Sequence, residues 1–201
     1  MTDPHRSVLD ALTKARWTVR DRGADHTLGP ADLWPVALRE RYPNIPPSVT
    51  VFLGRLDECV NADDTAWFLT AADYAGTSGS AWTWNAWEQL ELAGYDEDGD
   101  EEGAAKVRDF WNAYLPVFLD VGGDYAHFSV RVTEPRVVKR SWWLVGGARP
   151  LPEPRMGTVV YGAEVDITAV VEVAPSFPEF LNYLATAVGD PNLKGPLSGL
   201  I

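Results

Sequence analysis

Val8, Leu12, Ala15 and Val19 recur near helical spacing, and the pattern predicts a helix over Ser7–Val19 with Ser7 as its N-cap. Gly23–Gly29 is polar and broken, a loop. Leu33–Arg41 reads as a short helix with Pro35 in its first turn, where proline is tolerated. Tyr42–Pro47 holds three prolines, which remove backbone donors and force extended geometry. Val49, Phe52, Leu53, Leu56 and Val60 then predict one amphipathic helix capped by Ser48. Ala66–Ala72 is short, apolar and aromatic, the pattern of a buried strand.

Gly76–Ser80 is a flexible loop, and Asn85 opens a helix reaching about Leu92. Asp96–Gly103 is expected to be an acidic loop, because its like charges repel one another. Ala104–Tyr114 returns to helix. Leu115–Val121 and Tyr125–Val132 predict a hairpin, since Gly122-Gly123-Asp124 supplies residues suited to positive φ. Arg136–Val145 and Thr158–Val173 read as further strands, the second interrupted near Gly162, with the proline-rich Arg149–Pro154 between them. In the last helix Ser176 and Glu179 have capping-box spacing, and Phe177, Phe180, Leu181, Leu184 and Val188 form its apolar face. Asp190-Pro191 ends it, and Gly195–Ile201 is a loose tail. The segments mix helix and strand, so the expected class is α+β. No repeat or low-complexity linker divides the 201 residues, which fits one domain.

Charge narrows the partners. Twenty-nine acids against seventeen bases give a net charge of −12, which repels nucleic-acid phosphates and anionic membranes. The partner such a surface attracts is cationic, although acidity also serves solubility alone. Cys59 is the single cysteine, so no internal disulfide can form, and its apolar surroundings predict a buried, inert thiol. Met1–Arg6 lacks the apolar run of a secretion signal, no stretch reaches membrane-spanning length, and a cytoplasmic location is the expectation.

Motifs for chemistry are largely missing. His5, His26 and His127 lie in unrelated contexts, and Cys59 has no companion, so no metal or cofactor is expected. His127 reads as a hydrogen-bonded structural imidazole. Asp96, Asp98 and Asp100 suggest a calcium loop, but Gly99 falls fourth where the sixth position is needed, and Val107 occupies the twelfth. The glycines precede no Gly-Lys-Ser/Thr, and Ser78, Ser80, Ser129 and Ser176 lack a nucleophile elbow. A carboxylate pair meets only in three dimensions, so glycoside chemistry stays open at this level. A non-enzymatic protein is expected, with no catalytic residues.

Trp82, Trp84 and Trp87 stand between a glycine-rich loop and the acidic run. Tryptophan anchors interfaces and sugar sites, and it also packs cores. The candidate partner-binding residues are these three with Asp96, Glu97, Asp98, Asp100, Glu101 and Glu102, the acids steering and the rings anchoring.

Ordered blocks add a resemblance. Pro43-Asn44-Ile45-Pro46-Pro47-Ser48-Val49 with Phe52-Leu53 resembles the entry to the first core helix of the SUKH superfamily. Leu115–Phe118, Gly122-Gly123-Asp124-Tyr125, Gly157–Gly162 and Val173–Leu181 are similar to its Gly-Gly-Asp hairpin, its Gly-x-Val strand and its closing helix. Ser80–Gly103 and Arg149–Pro154 depart from that pattern. The resemblance implies a mixed, mostly antiparallel sheet flanked by helices over residues 42–189. Residues 1–41 would form a helical extension packed on it, and residues 190–201 a loose tail. It also implies a non-catalytic bacterial immunity protein that binds a cognate toxin, in some cases a nuclease. The alternatives are a regulatory or scaffold domain with a non-toxin partner, or a carbohydrate-binding module using exposed Trp.

Overall fold

The structure is a computed structural model, and it describes residues 4–122, 125–134, 154–163 and 170–188. The chain is α+β. Helices are α1 (Pro4–Lys14), α2 (Pro30–Leu33), α3 (Val36–Arg41), α4 (Pro47–Leu53), α5 (Ala71–Tyr74), α6 (Ala86–Asp98), α7 (Glu101–Ala113) and α8 (Phe177–Ala187). Strands are β1 (Thr18–Asp21), β2 (Leu56–Val60), β3 (Ala66–Phe68), β4 (Tyr114–Asp120), β5 (Ala126–Arg131), β6 (Val159–Ala163) and β7 (Val171–Ala174). They form one seven-stranded sheet in sequence order, antiparallel at every described pairing.

Several elements differ from the sequence expectation, each for a local reason. The first helix starts at Pro4, so Ser7 lies inside it, and it stops at Lys14. Arg16 at φ 67 turns the chain, and Val19 enters β1 opposite Cys59. Val49–Val60 is likewise two elements: α4 ends at Leu53, and Leu56–Val60 is β2. Pro46 holds the N-cap position of α4, with Ser48 inside the helix. The break is at Gly54, where a Cβ would meet Leu28 O at 2.6 Å and Thr50 O at 2.8 Å. Leu56 and Val60 fit a helical stripe by spacing, yet the backbone pairs them in the sheet.

Pro35 separates α2 from α3 where one helix was expected. Ala66–Ala72 is a strand only to Phe68, because Asp73 Oδ2 accepts from both the Thr70 N–H and the Thr70 hydroxyl at 2.7 Å and opens α5. Asp96–Gly103 is no loop: α6 runs to Asp98, and α7 starts at Glu101. Tyr114, expected to end the helix, starts β4. The hairpin of β4 and β5 is present, and Ser176 caps α8, its Oγ accepting from the Glu179 N–H and its hydroxyl donating to Glu179 Oε2. Thr158–Val173 divides into β6 and β7. The strand expected over Arg136–Val145, the tail from Asp190 and all of Arg149–Pro154 but Pro154 lie outside the described residues.

β4 is buried from Tyr114 to Leu119 and β5 along its whole length, so both faces of the sheet's middle are covered. One face carries Phe118 and Phe128, in ring contact with each other, with Phe68 and with Phe180 of α8. Phe52 joins Phe68 to Phe177, and α1 packs along α8. Alternation turns His127 and Ser129 to the opposite face, where the α6–α7 pair lies over them. Pro116 tolerates a central strand because the register shifts beside it, and its carbonyl accepts from the Tyr74 hydroxyl at 2.8 Å.

β1 also brings an acid to a buried base. Arg55 is 4% exposed and meets Asp21 twice, Nε to Oδ1 at 3.1 Å and Nη2 to Oδ2 at 2.7 Å. The Arg55 guanidinium holds the Asp21 carboxyl below its usual range. That stability is present above the unfolded carboxyl's titration and is lost as pH falls through the lower folded value.

Removing the acid deprives a buried cation of two charge-assisted hydrogen bonds, so Asp21→Ala is expected to cost about 3 kcal/mol. Gly54→Ala is expected to cost about 1–3 kcal/mol by overpacking two carbonyls. Urea midpoints at neutral pH check both.

Candidate functional site

α6 and α7 turn back on each other through Gly99 and Asp100. Gly99 takes a left-handed conformation at φ 69, and the Asp100 side chain accepts from the Gly103 N–H at 2.9 Å. Gly103 lets the helices close, since a Cβ there would strike the Tyr95 ring. Repulsion among the acids does not melt the segment because two of them suit their positions. Glu101 and Glu102 occupy the first turn of α7, where the helix dipole favours negative charge. Glu97, Asp100, Glu101 and Glu102 are exposed, and Glu102 pairs with Lys106 at 2.8 Å. Asp96 and Asp98 lie in the last turn of α6.

The three tryptophans part company. Trp87 is buried at 3% exposure and belongs to the core. Trp82 is half-buried, its ring 5.0 Å from Trp87 and 5.5 Å from Tyr125. Tyr125 is 48% exposed, so the accessible aromatic patch is Trp82 with Tyr125, floored by Trp87. Trp84 is fixed elsewhere, 5.6 Å from the Arg41 guanidinium and edge-on to Tyr42 at 6.2 Å. Arg41 in turn grips both Glu88 oxygens, at 2.6 and 2.8 Å, and donates from Nε to Asn112 Oδ1 at 3.0 Å. One guanidinium thus ties α3, the Trp84 turn, α6 and α7 together. The acids do not join the rings: Trp87 and Asp98 are separated by the length of α6, about 16 Å.

Sequence reasoning missed Tyr125 and Arg41 as parts of this surface. Tyr125 had a usable signal, an aromatic directly after a Gly-Gly-Asp turn. Arg41 had none, since its partners come from 47 and 71 residues away.

Beneath the helices lies a small polar set. His127 is 2% exposed, its Nδ1 2.9 Å from Ser129 Oγ, with the Trp111 ring at 4.8 Å and the Trp87 ring at 6.5 Å. It is the hydrogen-bonded structural imidazole that the sequence suggests. A Cβ on Gly162, its register partner in β6, would strike the imidazole. Burial pushes the His127 pKa down to about 3. The Trp111 indole donates to the buried Glu91 carboxylate at 2.6 Å, and the Tyr42 hydroxyl to Trp111 O at 2.6 Å. Cys59 is buried as expected, and burial pushes its thiol well up, away from reactivity.

An open cleft of about 360 Å³ runs beside the end of α7, between Asp109 and Phe110 on one wall and Arg131 and Glu134 on the other. Arg131 is occupied there, donating to the Tyr114 hydroxyl at 3.2 Å and to Thr133 O at 3.1 Å. Among the described residues no group of three His, Cys, Asp or Glu could hold a metal, and no helix is long and apolar enough to cross a membrane. No protein-family model matches the chain, and no curated protein does either.

A neutral buried imidazole makes stability pH-dependent. Unfolded His127 gains a proton below its ordinary pKa of 6.5, while the folded ring does not until about 3. The contribution of this group is therefore present in full above the unfolded pKa and is lost as pH falls from about 6.5 towards 3, by up to about 1.4 kcal/mol per pH unit. His127→Gln is expected to flatten that slope, measured as urea midpoints from pH 7 to pH 4.

Proposed function

We propose that the chain is a non-catalytic immunity-type protein of the cytoplasm that silences a cationic toxin domain, a nuclease being one class, by covering it. The observation that carries this reading is where the charge lies. Ala86–Ala113 holds nine acids against two bases, so −7 of the chain's −12 belongs to the α6–α7 hairpin. Glu88 and Glu91 are engaged internally, whereas Glu97, Asp100, Glu101 and Glu102 face solvent. A concentrated field of one sign accelerates encounter with an oppositely charged partner and rejects phosphate backbones.

Anchoring then falls to the aromatic patch. The Trp82 ring rests on buried Trp87 and the Tyr125 ring rests on Trp82, so the patch is partly ordered before contact and less side-chain freedom is lost on binding. The SUKH resemblance supports the same reading. Among the described residues its sequence blocks fall on the entry to α4, on β4, on most of β6, and on the end of β7 with the start of α8, in order. Asp96 and Asp98 share the steering role by their place in α6, and Trp84 is the secondary anchor held by Arg41.

Co-expression with the products of neighbouring genes tests the proposal, read as survival and as complex formation at two salt concentrations. One neighbour is expected to be toxic alone and harmless in the pair, with association slower at the higher salt. Changing Glu97, Glu101 and Glu102 to Gln and Asp100 to Asn, which keeps the cap, is expected to slow association about tenfold at low salt. Trp82→Ala is expected to weaken the complex by about 2 kcal/mol, chiefly through faster dissociation. Rescue from no neighbour overturns the toxin role. A stable complex with a non-toxic neighbour would place the chain among regulatory or scaffold domains, and sugar retention on a glycan array would mark Trp82–Tyr125 as a carbohydrate platform.

A further inference from the structure

α6 has two faces with opposite logic. Its inner face buries Ala86, Trp87 and Glu91, while its outer face exposes Leu90, Ala93, Gly94 and Glu97. Leu90 is 48% exposed. These four residues have the i, i+3, i+4, i+7 spacing of a single strip along the helix.

Gly94 is the informative member. A glycine inside a helix weakens it, because the unfolded chain loses more freedom there than alanine would. Gly103 has an internal reason to be glycine, namely the Tyr95 ring against it. Gly94 has none among the described residues: a Cβ there meets nothing within 4 Å. The bare backbone faces outward, beside an exposed leucine, on one arm of the hairpin that carries −7 of the chain's −12.

From this placement we infer that the Leu90–Glu97 strip of α6 is the seat for a basic amphipathic helix of the partner. The inference rests on the toxin-covering reading for the partner's sign of charge. Small residues allow two helices to approach at the near end of the usual 8–10 Å separation. An apolar side chain of the incoming helix packs on Leu90, its backbone passes over Gly94, and its cations meet Glu97 and the neighbouring Glu101 and Glu102. Recognition by anchors at this spacing is a general mode of helix binding.

The test uses the full chain and a synthetic leucine–lysine amphipathic peptide, with a leucine–glutamate peptide as control. Amide resonances of Leu90, Ala93, Gly94 and Glu97 are expected to shift with the lysine peptide and not with the control. Gly94→Gln and Leu90→Gln are each expected to weaken that binding at least fivefold. Gly94→Ala alone is expected to raise Tm by about 2–4 °C, as a better helix former with room for its methyl. A fall in Tm would reveal an internal need for the glycine, and shifts elsewhere or unchanged affinity in the Gln variants would place the seat off α6; any of these overturns the inference. Toxin rescue that survives Gly94→Gln removes this strip and leaves the toxin reading standing. Peptide binding without any rescue by a neighbour does the reverse.

Discussion

Strands β4 and β5 bury every side chain from Tyr114 to Leu119 and from Ala126 to Arg131, so each face of the sheet's middle needs its own cover. The phenylalanine face receives α1, α4 and α8. The other face receives α6 and α7, and only their inner sides have to be apolar for that purpose: Trp87, Val107 and Trp111 supply it. The outer sides are then free to carry charge at a density that no core could accept. The acidic surface and the roof over His127 are one element seen from two directions.

Two arginines hold the edges of this arrangement, in different ways. Arg55 is almost wholly buried against Asp21, so breaking the pair takes two charge-assisted hydrogen bonds from a buried cation, and the cost is large. Arg41 lies nearer water, with its side chain 22% exposed, and contributes less per ion pair. Its value is geometric. By engaging Glu88, Asn112 and the faces of Tyr42 and Trp84, it fixes how the α6–α7 hairpin sits against α3. Lysine could not reproduce that, since a point charge lacks the planar fork.

The α+β class, the β4–β5 hairpin and the capped α8 were legible because each rests on contacts within a few residues. The failures share a cause. Val19, Leu56 and Val60 satisfy helical spacing, but their β-branched or apolar side chains serve equally in strands, and the choice is made by pairing across the sheet. Asp96–Gly103 defeats a reading based on repulsion alone, because Gly99 and the Asp100 cap restore helix on both sides. For the surface, the acids were found by composition, whereas the separate orientations of Trp82, Trp84 and Trp87 depend on Tyr125, Arg41 and His127, which are distant along the chain.

Each strand of the sheet pairs with its successor, so the sheet can assemble in the order in which a ribosome delivers it. The packing of α1 on α8 cannot. Val8, Leu9 and Leu12 find part of their cover only once Phe177–Ala187 exists, on the order of ten seconds or more after their own synthesis. During that interval α1 keeps part of its apolar face in water, and the last helix to be made is the one that seals it.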